Sequence, residues 1–227
     1  MITIAERLAL KEEALERKFD NFAFELRCCS PGIIESFDEE KQTVRVQLAI
    51  KEYIKCGAKE FIEEHKDNVA AIPVPILVDV PICIPSAGGF SLTLPIEPGD
   101  ECLVVFGDTC MDNWWEFGCS ETDLFPLGEP ATQKSLRRHN LSDGFAILGV
   151  KSQPKIIENY STDAMELRNE DGVNKISLSG EALTLTFGGK AIVITAAGVE
   201  IEGIMFMDHV HMGVSTGGAL SQGVSPI

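Results

Sequence analysis

Apolar and polar residues alternate in three different rhythms along this chain. From Ile4 to Leu26, apolar side chains recur at spacings of four, seven, four, three and four (Ile4, Leu8, Leu15, Phe19, Phe22, Leu26), the rhythm of one helix face. Thr3 and Glu6 have the T-x-x-E form of a capping box. The stripe is narrow, so the helix either packs on the following domain or seats a partner helix. From Cys28 to about Lys155 the rhythm changes to short β-type runs. "GIIESFDEEKQTVRVQLAI" places two strands around a polar turn, the second alternating as Val44, Val46 and Leu48. Further strands follow, broken by Gly88–Gly89 and by Pro98–Gly99–Asp100. The dense prolines between Val69 and Pro85 predict edges and turns rather than central strands. Strands of this length and spacing fit a small OB-fold-like barrel.

The third rhythm starts near residue 160. "NKISLSGEALTLTFGGKAIVITAAGVEIEG" has period two and turns at Gly180, Gly188–Gly189 and Gly198. Each strand carries an apolar pair: Ile176 and Leu178, Leu183 and Leu185, Ile192 and Ile194, Val199 and Ile201. Such an internal repeat stacks into a β-helix or prism. One chain cannot close a core from strands that are apolar on one side only, so several chains wound about a shared axis are expected. The expected fold is mainly β: an N-terminal amphipathic helix over 1–26, an OB-fold-like domain over 27–155, and a trimeric intertwined β-helix or prism over 156–227.

Charge narrows the function classes. The 227 residues carry a net charge of −16, which opposes phosphate backbones and anionic lipid. The basic spots are Lys134–Arg137–Arg138 and scattered lysines between Lys51 and Lys66, so no nucleic-acid partner is expected. The N-terminus lacks the apolar block of a signal peptide, and the most apolar stretch holds Asp79 and four prolines, which argues against a membrane helix. Seven cysteines without a C-x-x-C pair read as buried free thiols of a reducing compartment. Neither a P-loop nor G-x-G-x-x-G occurs, and no enzyme activity is expected. Trp114 and Trp115, in "NWWEFG", are either packing residues or a stacking platform for sugars or bases.

Two of the four histidines, His209 and His211, stand one residue apart in "MDHVHMGVSTGG". In a strand, residues i and i+2 share a side. On a three-fold axis two imidazoles from each of three chains would make an octahedral cage, which suits iron or nickel better than zinc. An H-x-H pair by itself is a weak motif, and two histidines in a polar tail are most often just solvated. The H-x-H metalloenzymes complete their sites with later histidines and acids, and no His, Asp or Glu follows His211.

With these residues in hand, most of the chain resembles the central spike proteins of contractile-tail phage baseplates, the family that includes baseplate assembly protein V and related membrane-piercing needles. "CSPGIIESFDEEKQTVRVQLAI" resembles the opening hairpin of that family's OB domain. "VDVPICIPSAGGFSLTLPIEPGDECLVVFGDTCMDNWWEFG" resembles its middle strands, and "RRHNLSDGFAILG" its closing segment. The repeat resembles the trimeric spike, and "HVHMGVSTGG" its apex, with Met212 where relatives often place glycine. The resemblance implies a homotrimer on the tail hub, in the virion after synthesis in the host cytoplasm. It further implies one iron ion per trimer held by His209 and His211 of three chains, and mechanical penetration of the host outer membrane. The competing expectation is an OB-fold carbohydrate or oligonucleotide binding module with an oligomerising tail, using Trp114 and Trp115.

Overall fold

The computed structural model describes residues 12–16, 18–20, 22–23, 26–53, 71–118 and 130–206. The chain divides into two compact units, Met1–Gln153 and Pro154–Ile227. In the first, residues 12–16, 18–20 and 22–23 are helical, and Leu26 N–H donates to the Phe22 carbonyl at 3.0 Å. Leu15, Phe19 and Phe22 of the apolar stripe all stand exposed.

Five strands close a barrel: β1 (Cys29–Asp38), β2 (Thr43–Leu48), β5 (Leu77–Cys83), β8 (Glu101–Phe106) and β9 (Gly144–Leu148), in the order β1-β2-β5-β9-β8. Two-residue strands fill the connections, β3 (Glu52–Tyr53) with β4 (Ala71–Ile72), and β6 (Ser86–Ala87) with β7 (Phe90–Ser91). Every barrel pair is antiparallel except β5 with β9. Counting barrel strands alone, the order 1-2-3-5-4 with one parallel closure is that of an OB-type barrel. Alternation explains the core. β8 buries Cys102, Val104 and Phe106 while its other residues are only partly covered. Ile34, Val44, Val46, Leu48, Val80 and Ala146 meet them inside. Gly32 sits where this packing is tightest, because a Cβ there would lie 2.4 Å from Val46 Cγ1.

The prolines behave differently from the sequence expectation. β5 lies between two partners, not at an edge, and contains Pro81. The strand changes partner there. It pairs with β2 as far as Thr43↔Pro81 and with β9 from Ile82↔Ala146 onward. Asp79, at φ +53°, breaks the regular pleat just before it. A residue without an N–H is tolerated at such an irregular handover. The thiols also depart from expectation. Cys102 and Cys110 are buried, whereas Cys28, Cys29 and Cys83 are exposed, because β1 begins at the rim and β5 ends there. Burial pushes the Cys102 thiol up to about 11.

The second unit is one six-stranded antiparallel meander, β10 (Met165–Arg168), β11 (Lys175–Leu178), β12 (Ala182–Phe187), β13 (Lys190–Thr195), β14 (Gly198–Ile201) and β15 (Ile204–Met205), each strand pairing with the next. The turn between β12 and β13 is Gly188–Gly189 with φ of +55° and +79°, a two-residue hairpin loop that only glycine enters freely. The turns at Gly180 and Gly198 likewise fall between strands or at a strand start. Winding with other chains is a matter for the assembly; within one chain the strands form a simple up-and-down sheet.

Candidate functional site

Cross-strand register decides what each face of the meander presents. Met165, Leu178, Leu183, Ile194 and Val199 lie opposite one another in one row, and Leu167, Ile176, Leu185, Ile192, Ile201 and Ile204 in the next. Opposed residues share a face, so one side of the sheet is a continuous apolar surface. The alternate residues, Glu166, Ser177, Thr184, Val193 and Glu200, make the other side largely polar. Within the meander no described residue covers the apolar side. Leu183 and Val199 are partly covered, while exposure at its open positions runs from 38% at Leu185 and Ile192 to 77% at Phe187, and a hollow of about 700 Å³ opens over Leu167, Ile176, Leu185 and Ile192. Among the described residues of 154–206 not one is buried.

The polar side is held by its own network. Glu166 accepts from Lys175 Nζ at 2.5 Å and from Arg168 NH1 at 3.4 Å. Arg168 also donates to the carbonyls of Asn159 and Glu158, each at 2.8 Å, tying the loop before β10 to the sheet. The hydrogen bond from Lys175, with the charges of Lys175 and Arg168, holds the Glu166 carboxyl below its ordinary range. On the apolar side Lys190, opposite Phe187, does the same for Glu202 at the border of the hollow, helped by the Ala191 N–H. The Glu166 network on one face and the aliphatic rows on the other make the sheet two-sided, and no other strand of the meander lies on the aliphatic rows.

In the barrel unit Asp143 is fully buried. It accepts from Arg137 Nε at 2.6 Å, from Arg137 NH2 at 2.8 Å and from the Met111 N–H at 2.9 Å. Arg137 also forms a two-pronged pair with Asp112, one arm at 3.1 Å. That pairing holds the Asp112 carboxyl below its usual range, first through the hydrogen bond from Arg137 and then through its charge. Cys110, Asp112 and Asp143 lie close enough to hold a metal ion. The cation between the two carboxylates is the Arg137 guanidinium, however, so the cluster is a clasp. It fixes the short helix Asp112–Phe117 to the turn before β9. The sequence showed Arg137 only as part of a basic spot. Its partners are 25 and 6 residues away and become neighbours only when the barrel closes.

Trp114 and Trp115 lie on that helix. Trp114 meets Phe145 edge-on, ring centroids 5.8 Å apart at 66°, and Trp115 sits 6.4 Å from Trp114. Both remain partly exposed, which places them at the rim of the barrel packing. His209 and His211, with the apex "HVHMGVSTGG", lie outside the described residues. So does Gly213–Gly217, which spells G-x-S-x-G.

No curated protein matches the chain. The family model described as phage protein Gp138 N-terminal domain matches residues 30–149, just over half of the 227 residues. The match begins inside β1 and ends directly after β9, so it spans all five barrel strands and stops before the apolar sheet. By its barrel, the chain belongs to the phage protein Gp138 N-terminal domain family.

Proposed function

We propose that this phage protein is a structural component of the virion: the central spike at the tip of a contractile tail or of a phage-like injection particle. Three copies turn the apolar faces of their C-terminal sheets inward and form a three-sided prism. The barrels seat on the baseplate hub, and the prism points outward and is driven through the host outer membrane when the sheath contracts. The observation that carries this reading is the continuous apolar sheet face. A sheet with one apolar side must cover it, and burying a Leu or Ile side chain contributes about 1.5–3 kcal/mol. Two neighbouring copies supply that cover for every copy at once.

The role is mechanical, with no catalytic step. Strands that cross the axis of load resist it through many hydrogen bonds together. Three copies triple the −16 charge of the chain, so the machine must supply force where attraction to an anionic leaflet is lacking. At the far end, His209 and His211 of three chains provide six imidazoles for one iron ion, a donor set suited to an octahedral transition metal. The ion ties the chain ends together where strand pairing runs out and fraying is expected.

Labelling tests the assignment. Antibody against the chain, applied to purified contractile particles that contain it, marks the distal tip of the tail in electron micrographs. Label on the sheath or the capsid contradicts the spike assignment. Elemental analysis tests the apex: one iron per three chains is expected in the purified protein, and His209→Ala with His211→Ala removes it while the trimer persists.

A further inference from the structure

We propose that neighbouring barrels lock by a knob and a pocket: Phe90 of one copy enters an apolar pocket on the barrel of the next copy around the three-fold axis. This contact presupposes the trimer proposed above and adds a second interface to it, in the barrel unit.

The knob is built by a tight hairpin. β6 and β7 pair through Ser86↔Ser91 and Ala87↔Phe90, Leu92 N–H donates to the Pro85 carbonyl at 3.0 Å, and Ser86 Oγ donates to Ser91 Oγ at 2.9 Å. Gly88 and Gly89, at φ +58° and +82°, turn the chain in two residues. This places the Phe90 ring in solvent at 84% exposure. An aromatic ring costs free energy there, and nothing in its own hairpin covers it.

The pocket lies where β5 pairs with β9. It has a volume of about 470 Å³ and is lined by Phe37, Ile82, Leu92, Leu94, Ile96 and Ile147, with Glu39 the one charged residue on its wall. Phe90 directly precedes the segment that brings Leu92 and Leu94 to the pocket wall. It is not part of the pocket wall. Folding the ring back into its own pocket would break the hairpin pairing that holds it out.

Charge identifies the occupant. No charged residue occurs between Asp79 and Glu97, in a chain that is 24% charged with a net charge of −16. A foreign partner complementary to this protein would be drawn to its acidic surface. A second copy of the same acidic chain is repelled by that surface and can approach only through an uncharged one. The hairpin and pocket supply it. Knob and pocket are different patches, so the contact is heterologous, the kind that closes into a ring when the rotation is three-fold. A phenylalanine contributes roughly 150–250 Å² of buried area, against about 800 Å² per partner in a stable interface. The contact therefore orients barrels in an assembly whose main cohesion lies in the apolar sheets.

Cys83 makes a direct test possible, because it is exposed and lines the pocket. In the full-length chain Phe90→Cys brings a thiol to the knob. Ala87, the partner of Phe90, is four residues from Cys83, a span of about 13 Å for extended chain at about 3.3 Å per residue. A disulfide requires Cα atoms within about 7 Å, so these two cysteines bond only between copies. Mild oxidation of the variant should give covalent dimers and trimers on a non-reducing gel, and these should vanish when Cys83→Ser is added. If native mass shows a trimer but no cross-link depends on Cys83, the knob contact is wrong, the trimer stands, and the hairpin is free for another baseplate protein. If native mass shows a monomer, the trimer itself fails and this contact with it.

Discussion

The barrel and the C-terminal sheet use the same material to opposite ends. Both are built from strands of four to ten residues for the most part, and both alternate apolar with polar side chains. The barrel curls until its apolar sides face one another, which leaves Val46, Val104 and Ala146 fully buried. The meander stays open and leaves Ile176, Leu178 and Ile192 in solvent. What separates them is connectivity. The barrel has two pairings between strands distant in the chain, β5 with β9 and β1 with β8, that let the sheet close, whereas every pairing in the meander is between neighbours. A closed unit completes its core alone; an open one leaves an apolar face, which the proposed neighbouring copies would cover.

The sharpest way to break this comparison is to place a charge on the open face. Ile192→Asp puts a carboxylate in the middle of the apolar row, and in a trimer three of them would be buried without partners. Expected are loss of the trimer by light scattering and a barrel that still unfolds as before in thermal melts. A trimer of unchanged stability would mean that the apolar face is not its interior.

The converse variant acts on the barrel. Arg137→Ala strands the buried Asp143 carboxylate, and breaking such a pair from one side costs about 3–5 kcal/mol. Denaturant melts should show that loss in the barrel transition, with the oligomer mass unchanged. Gly32→Ala is the milder form of the same test. Its Cβ collides with Val46, and overpacking of this kind costs about 1–3 kcal/mol. A neutral result would show that the barrel wall yields more easily than its geometry implies.

The smallest effect expected is that of acid. Asp112 in the barrel and Glu166 and Glu202 in the sheet have folded values held below their ordinary ones by Arg137, Lys175 and Lys190 respectively. A depressed carboxylate adds stability above its unfolded value, about 4, and loses it as pH falls through the folded value. Melting temperatures at pH 7 and pH 3 should therefore differ in both units, with lower stability at pH 3. Equal values would remove these ion pairs from the account.

Local pattern made the meander easy to read: strand pairs Leu183 with Leu185 and Ile192 with Ile194, and turns at Gly188–Gly189, follow from period-two alternation and glycine alone. The β1–β2 hairpin was legible for the same reason. Pro81 misled, because a proline inside a closed sheet depends on a partner change that no local window contains. The Arg137 clasp was hidden for a related reason, as its carboxylates come from Asp112 and Asp143 on separate segments. The face that carries the proposed function could be read as apolar from sequence, but its exposure required the fold, since only the register shows that no other part of the meander covers it. The histidine pair stood out by residue type, and its geometry lies outside the described residues.

The central claim is that the open apolar face is the interior of a trimer pinned at its apex by one metal ion. Native mass spectrometry of the intact purified protein at neutral pH tests both parts together. Three chains with a single transition-metal ion is the mass expected. A metal-free monomer would contradict the account and turn attention to Trp114 and Trp115 as the surface of a binding module.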